Sequence, residues 1–305
     1  DAAQLGYSIR IGSSCEFYLF NTDENGCPMH VPQDRGTLFD LAPADRGENV
    51  RRDICLALSE MGIIPESSHH AVGPGQNEVV FHSSDALSAA DNFMTFKSVV
   101  KQAASVSGLY ASFMPKPLET EKSSALGLMF EVYKDGKNLF EEKMLEPEAC
   151  SFVAGILGCL PELTVFLRPT TNSYSADSRR ELGWSNLSGR FSVCIPVVAG
   201  IKGRMELTAA DPAIHPHLAY ALLIRAGLEG IRKELAMPRM ETASGKLPAT
   251  LRQAVTAANR GKLCKAFIPQ DVLGSYLSNK QDAVNDYTKA KKKMEFDRET
   301  YFEIL

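Results

Sequence analysis

A marked excess of either charge sign is missing from this chain of 305 residues: 33 Lys and Arg stand against 37 Asp and Glu, a net charge of -4. The one basic block is Lys289-Ala290-Lys291-Lys292-Lys293 near the C-terminus. Without a basic face there is no case for a nucleic-acid partner. Paired cysteines are missing as well. The seven Cys (15, 27, 55, 150, 159, 194, 264) are odd in number, scattered and free of any C-x-x-C pair. That pattern excludes a disulfide frame or a cysteine zinc site and reads as reduced thiols in a cytoplasm. No apolar run approaches membrane-spanning length and no signal segment is visible, so a membrane partner is not expected. Repeats and low-complexity tracts are lacking too. What remains is 44% hydrophobic and 23% charged residues, the composition of a globular protein with a substantial core. The chain begins at Asp1 without Met, as a piece of something longer would.

The periodicities describe mixed elements. Residues 7–20 alternate in two pieces joined by Gly12-Ser13-Ser14, which predicts two strands or one bulged strand with Glu16 on the face opposite Phe17. Residues 49–61 and 86–107 have helical spacing and stop at Gly62 and Gly108. Residues 110–115 read as a strand. Residues 125–133 have a period of two, with Leu126, Leu128, Phe130 and Val132 on one face and Gly127, Met129 and Glu131 on the other. Residues 146–166 are helical, with Pro161 expected to kink or end the helix. Short alternating stretches follow at 190–196 and 204–208, then a buried helix at 216–235, an exposed loop at 240–246 and a polar terminal helix at 282–301 whose lysines form a solvated face. Strands and helices mix without strict β-α-β alternation. The expected fold class is therefore α+β with a mainly antiparallel sheet.

The most informative stretch is Ser68-His69-His70-Ala71-Val72-Gly73-Pro74-Gly75-Gln76-Asn77-Glu78, a His pair and a tight turn leading into an alternating strand. His70 and Glu78 have metal-ligand chemistry, although two His and one Glu near a turn are more often solvated loop residues.

The order of several segments then becomes specific. Cys15-Glu16-Phe17-Tyr18-Leu19-Phe20, Asp40-Leu41-Ala42-Pro43, Gly73-Pro74-Gly75-Gln76-Asn77-Glu78, Phe113-Met114-Pro115-Lys116-Pro117, Lys134-Asp135-Gly136-Lys137-Asn138, Pro169-Thr170-Thr171-Asn172-Ser173-Tyr174 and Asp211-Pro212 follow one another at characteristic spacing. Together they resemble the catalytic domain of the glutamine synthetase family along the whole chain. The resemblance implies a curved, mainly antiparallel sheet flanked by helices around an active-site funnel. It also implies a small β-grasp domain ahead of residues 1–305, absent or not included here, and rings of subunits with sites between neighbours. Mg or Mn with ATP is the implied cofactor set, because amide formation at neutral pH requires conversion of the carboxylate to an acyl phosphate.

The same resemblance implies losses. Glu16, Glu78 and Glu206 stand at family metal-ligand positions, whereas Ser14, Ala71 and Gly127 stand where the family has Glu, Glu and His. Met129 replaces a second imidazole of the same strand. Four family arginine positions read Ala176, Gly189, Cys194 and Thr208. Arg190 is one register step from such a position, which turns its side chain to the other sheet face. The flap between Tyr174 and Trp184 is shortened around Glu181. An arginine that stabilises phosphoryl transfer is worth roughly a thousandfold or more in rate, so losses on this scale imply a family member without ligase activity. It would act as a structural or regulatory pseudoenzyme, as a homo-oligomer or co-assembled with an active paralogue. Two alternatives stand beside it. One is a divergent ATP-dependent γ-glutamyl-amine ligase in which Glu16, Glu78 and Glu206 hold one ion with His69 or His70, and Cys15 is a new functional group. The other is a small-molecule binding module using the emptied funnel. Glu16, Glu78 and Glu206 have a further, purely structural account as ion-pair partners, for instance of Arg204.

Overall fold

The computed structural model describes residues 1–141, 145–175, 181–187, 189–196 and 203–305. Its first long element, β1 (Tyr7–Thr22), is a single strand with irregularities at residues 11–13 and 20–22 rather than two strands. Its register against β4 slips between Ile11 and Ser13, while pairing with β6 runs unbroken from Tyr7 to Cys15. There follow β2 (Pro28–Pro32), α1 (Glu48–Glu60), β3 (Pro65–His70), β4 (Gln76–Asp85), α2 (Ala86–Val106), β5 (Leu109–Ser112), β6 (Leu126–Lys134), β7 (Lys137–Asn138) and α3 (Pro147–Leu167). The second half supplies β8 (Glu181–Ser185), β9 (Phe191–Cys194), β10 (Met205–Ala210), α4 (Pro216–Arg232), β11 (Gly245–Lys246), α5 (Leu251–Arg260), α6 (Leu263–Phe267), α7 (Gln270–Lys289) and α8 (Lys293–Tyr301).

The strands form one sheet in the order β11-β8-β9-β10-β6-β1-β4-β3, with β2 and β5 also on β1 and β7 on β6. Every pairing is antiparallel except β8 with β9. This is the α+β, mainly antiparallel architecture the sequence predicts. The period of two decides which face is which. Ile11, Cys15, Phe17 and Leu19 of β1 and Leu126, Leu128, Phe130 and Val132 of β6 enter the core, which α2, α3 and α4 cover. The residues between them face the opposite side.

Three predicted elements differ in the structure. Pro161 does not end α3, which runs on to Leu167. The lost hydrogen bond and ring clash cost about 3 kcal/mol, but Leu163, Val165, Phe166 and Leu167 beyond it are all buried, and each such burial returns about 1.5–3 kcal/mol. The terminal helix is two helices. The Lys293 ammonium donates to the carbonyls of Tyr287, Thr288 and Ala290, satisfying the end of α7 before α8 starts, so this lysine is a helix cap rather than part of a solvated face. The expected loop at 240–246 closes with β11, paired to β8.

By length and composition α3 is apolar enough to cross a bilayer, with a mean hydropathy of 1.8, contrary to the sequence expectation. It is the central core helix, and 72% of that apolar window is buried inside the fold. Its crossing with α4 is backbone on backbone, for a Cβ on Gly155 would lie 2.2 Å from the Ala226 carbonyl oxygen and 2.7 Å from Gly230 Cα. Neither neighbour is a flexible side chain. Gly155→Ala is therefore expected to destabilise the protein by about 1–3 kcal/mol, read as a lower urea midpoint with unchanged m-value, whereas Gly158→Ala, with open space around it, leaves the midpoint unchanged or raised.

Candidate functional site

Strand register assembles the site from residues distant in sequence. On the face away from the core, Glu16 of β1 lies opposite Glu78 of β4, and Glu78 lies opposite His69 of β3. One step along, Ser14 pairs with Gly127 of β6, and beyond it Gly12, Met129, Glu206 and Cys194 pair in sequence across β1, β6, β10 and β9. The fold thus gathers Ser14, Glu16, Glu78, Gly127 and Glu206 on one sheet face. Ala71 follows β3 directly, buried, with its amide on the Gln76 carbonyl at 2.8 Å. Thr208 donates to the Phe191 carbonyl at 3.1 Å. Gly189 is exposed. Ala176 lies outside the described residues.

Two carboxylates directly across a strand pair repel each other, and protein donors answer that repulsion. Glu78 accepts from the Ser14 hydroxyl through one oxygen and meets His69 Nε2 at 3.0 Å through the other. Burial pushes the Glu78 carboxyl up, yet the His69 and Ser14 contacts outweigh it and leave the group below its ordinary range. Glu16 accepts from Gln76 Nε2 at 3.1 Å and from the Ala125 amide at 2.6 Å. A Cβ on Gly127 would stand 2.9 Å from Glu206 Oε1, so the glycine leaves room for that carboxylate.

Other sequence expectations are corrected by the geometry. Arg204 pairs with Glu66 at 3.4 Å, not with Glu16, Glu78 or Glu206. Cys15 is fully buried on the core face and so is not a functional group beside Glu16 on the open face. Arg190 is exposed and pairs with Glu181 at 2.5 Å. All seven cysteines are free thiols.

His70 has a different task from His69. It is fully buried, with Nδ1 2.7 Å from the Ala71 carbonyl and Nε2 2.9 Å from Asp34 Oδ1. Both neighbours only accept, since Asp34 also takes the amides of Gly36, Gly75 and Arg46. Both ring nitrogens must therefore carry hydrogen, and His70 is an imidazolium. Burial alone lowers its pKa, but the Asp34 and Ala71 bonds raise it overall. Burial likewise pushes Asp34 up, and its four hydrogen bonds bring it down to about 2.

Asp34, Asp45 and His70 converge closely enough to suggest a metal site, with ligand atoms within 4.8 Å of one another. The lone pairs are already committed. Asp45 takes both Arg51 terminal nitrogens, at 3.1 and 2.5 Å. His70 is thus unavailable as a metal ligand, and sequence reasoning missed this cluster because Asp34 is 36 positions from His70. In the fold Gly36 makes room for the ring, since a Cβ there would come within 2.7 Å of His70 Nε2.

Below Glu16 lies a cavity of about 200 Å³ lined by Glu16, Gln76, Lys122, Arg168, Thr208 and Asp211 among others. Ser123 Oγ, Ser124 Oγ and Asp211 Oδ2, from residues of the same lining, are buried without a hydrogen-bond partner among the described residues.

The protonated His70 sets a pH dependence. Its folded pKa is raised, so its stabilisation is complete below about 6.5 and is lost as pH rises through the folded value. The Asp34 contribution is present above its unfolded value and lost as pH falls toward about 2. Nitrogen-detected NMR at pH 7 is expected to show both His70 ring nitrogens protonated. His70→Ala should cost about 3–5 kcal/mol by leaving Asp34 unpaired. A neutral His70 with one bare nitrogen would contradict the assignment.

Comparison with known proteins agrees with this geometry. The family described as glutamine synthetase, catalytic domain, matches residues 1–299. The chain is 39% identical over 310 aligned positions to the glutamine synthetase of Clostridium saccharobutylicum, covering 94% of this chain and 70% of that one. It is 37% identical to that of Methanosarcina mazei, covering 94% and 69%. Among solved structures, ligand-free GmaS superposes with a TM-score of 0.86 at 28% identity, covering 98% of this chain and 73% of GmaS. The glutamine synthetase of Plasmodium falciparum superposes at 0.83 and 20% identity, covering 97% and 76%, a likeness of fold alone. The chain belongs to the glutamine synthetase family, of which it represents the catalytic domain.

Proposed function

We propose that this chain is a glutamine synthetase-family protein that has lost ATP-dependent ligation and acts as a structural or regulatory partner in the cytoplasm, as a homo-oligomer or co-assembled with an active paralogue. The observation that carries the reading is the Glu78 carboxylate, held by the Ser14 hydroxyl and His69 on its two oxygens. Hard divalent cations take six or more oxygen ligands, rich in carboxylates and water. At the positions where the resemblance implies carboxylate, carboxylate and imidazole, this chain supplies a hydroxyl, a methyl and a hydrogen in Ser14, Ala71 and Gly127. These residues do not fit a pair of Mg or Mn ions. The phosphate side has the same deficit, with Thr208 bonded to a backbone carbonyl and Cys194 buried. Seven free thiols support the cytoplasmic assignment.

A second reading, a small-molecule binding module, rests on the buried partnerless oxygens of Ser123, Ser124 and Asp211 in the lining of the cavity below Glu16. Buried polar atoms of this kind are satisfied by a ligand or by water.

Calorimetry with Mg-ATP and with Mn-ATP, at protein concentrations that detect a millimolar Kd, is expected to give no binding heat, and an ADP-release assay with carboxylate and amine pairs to give no turnover. ATP-dependent turnover with any pair refutes the loss of ligation. Tight binding of a polar metabolite without nucleotide binding favours the second reading.

A further inference from the structure

The helix that closes the chain carries a buried acid with no part in the funnel face. Asp297 of α8 is fully buried. Its partners are neutral. The Thr171 hydroxyl donates to Oδ1 at 2.5 Å, and Asn172 Nδ2 approaches Oδ2 at 3.5 Å. From the same turn Ser175 also bonds to it. Tyr301, one turn further along α8, lies with its hydroxyl 3.3 Å from Thr171 Oγ1. From α7 the facing titratable group is Tyr287. Among the described residues, the cation whose charge acts on Asp297 is Lys293, and its ammonium is committed to the carbonyls that end α7. Among the described residues Asp297 makes no ion pair. Burial with no counter-charge disfavours the ionised form of such a carboxyl, and the hydrogen bonds donated to it oppose that effect in part.

The position of this acid matters because of what its partners hold. Asn172 clamps the Lys116 backbone from both sides, accepting its amide at 2.6 Å and donating to its carbonyl at 3.0 Å. Pro115 and Ser173, the neighbours of those two residues, line the cavity below Glu16. Asp297 therefore stands one layer behind the wall of that cavity, joined to it through a single turn. Tyr301 and Phe302 on the same segment close a small second core over Tyr18, Phe20 and Met114, so α8 docks across two parts of the domain at once.

We propose that Asp297 is a protonation-dependent latch: neutral, it docks α8 firmly on the turn at residues 170–175, and ionised, it loosens that contact and with it the wall of the cavity below Glu16. The direction follows from burial, which lifts the carboxyl from 3.8 to about 6, while the Thr171, Asn172 and Ser175 bonds and the Lys293 charge pull part of the way back. Because the folded pKa is above the unfolded one, the penalty is absent near pH 4 and grows as pH rises toward about 6, above which it is complete. This latch is independent of whether the funnel retains ligase chemistry.

Hydrogen exchange of peptides covering residues 293–305, corrected for intrinsic rates, tests it at pH 4.5 and pH 7.5. The wild-type protein is expected to lose about ten- to thirtyfold in protection between the two, the upper limit following from the roughly 1.5 pH units between 4.5 and the folded value of about 6. Asp297→Asn keeps the hydrogen-bonding shape without the charge and is expected to show equal protection at both. Equal protection in the wild type, or the same loss in the Asn variant, overturns the proposal. Should the variant fail to fold, carboxyl-carbon NMR of the wild type decides directly: titration of Asp297 near pH 6 supports the latch, and titration below about 4.5 overturns it.

Discussion

The structure depends first on the two-residue period of β1. That strand is hydrogen-bonded along one edge to β4 and β2 and along the other to β6 and β5, so every side chain on it is assigned to one of two faces with no intermediate choice. Its odd-numbered residues, Ile9, Ile11, Cys15, Phe17 and Leu19, enter the main core. Its even-numbered residues divide between the open face, with Ser14 and Glu16, and the second core, with Tyr18 and Phe20 under the C-terminal segment. A slip of one residue would turn Cys15 and Phe17 toward the open face and Glu16 into the core. With each large apolar side chain contributing about 1.5–3 kcal/mol on burial, the register that places the carboxylates is held by the greasy residues between them.

This constraint explains why acidic residues meet on the open face. Once the core fixes the register, Glu16 and Glu78 are brought opposite each other whether or not anything neutralises them. The chain answers with local donors: a hydroxyl and an imidazole on Glu78, an amide side chain and a backbone amide on Glu16. Of these donors, Gln76 acts twice, since its carbonyl oxygen also receives the Gly73 amide and so shapes the Gly-Pro-Gly turn while its nitrogen reaches Glu16.

Elements governed by local rules were legible in the sequence, and those governed by distant partners were not. The stops at Gly62 and Gly108 follow from glycine at positive φ, +81° and +69°. The faces of β6 follow from alternation alone. By contrast, continuation of α3 past Pro161 depends on the core it enters, and the break between α7 and α8 depends on a lysine folding back onto three carbonyls. Neither leaves a periodic trace. The order of motifs carried the family, because turns and site residues at fixed spacing are specific where propensity is not. His70 and Asp297 were opaque for a common reason: what each does is set by a partner 36 or 126 positions away in sequence.

The two histidines ahead of the Gly73-Pro74-Gly75 turn, His69 and His70, then have separable meanings. His70 is a fixed cation under the turn, required by Asp34 and by the absence of a side chain at Gly36, and its role is the same whether the funnel is active or not. His69 belongs to the open face and answers Glu78. Under the proposed reading, the resemblance implies five carboxylates around the metal positions, at 14, 16, 71, 78 and 206, of which Glu16, Glu78 and Glu206 remain. Removing two of five like charges from one sheet face lowers the repulsion that bound cations would otherwise neutralise. Replacement of one of them by Ser14 goes further, converting a repelling oxygen into a hydrogen-bond donor to Glu78. On that reading the substitutions act in one physical direction: they lower the need of the face for divalent ions, which is the condition a family member would have to meet to keep the fold without metal chemistry.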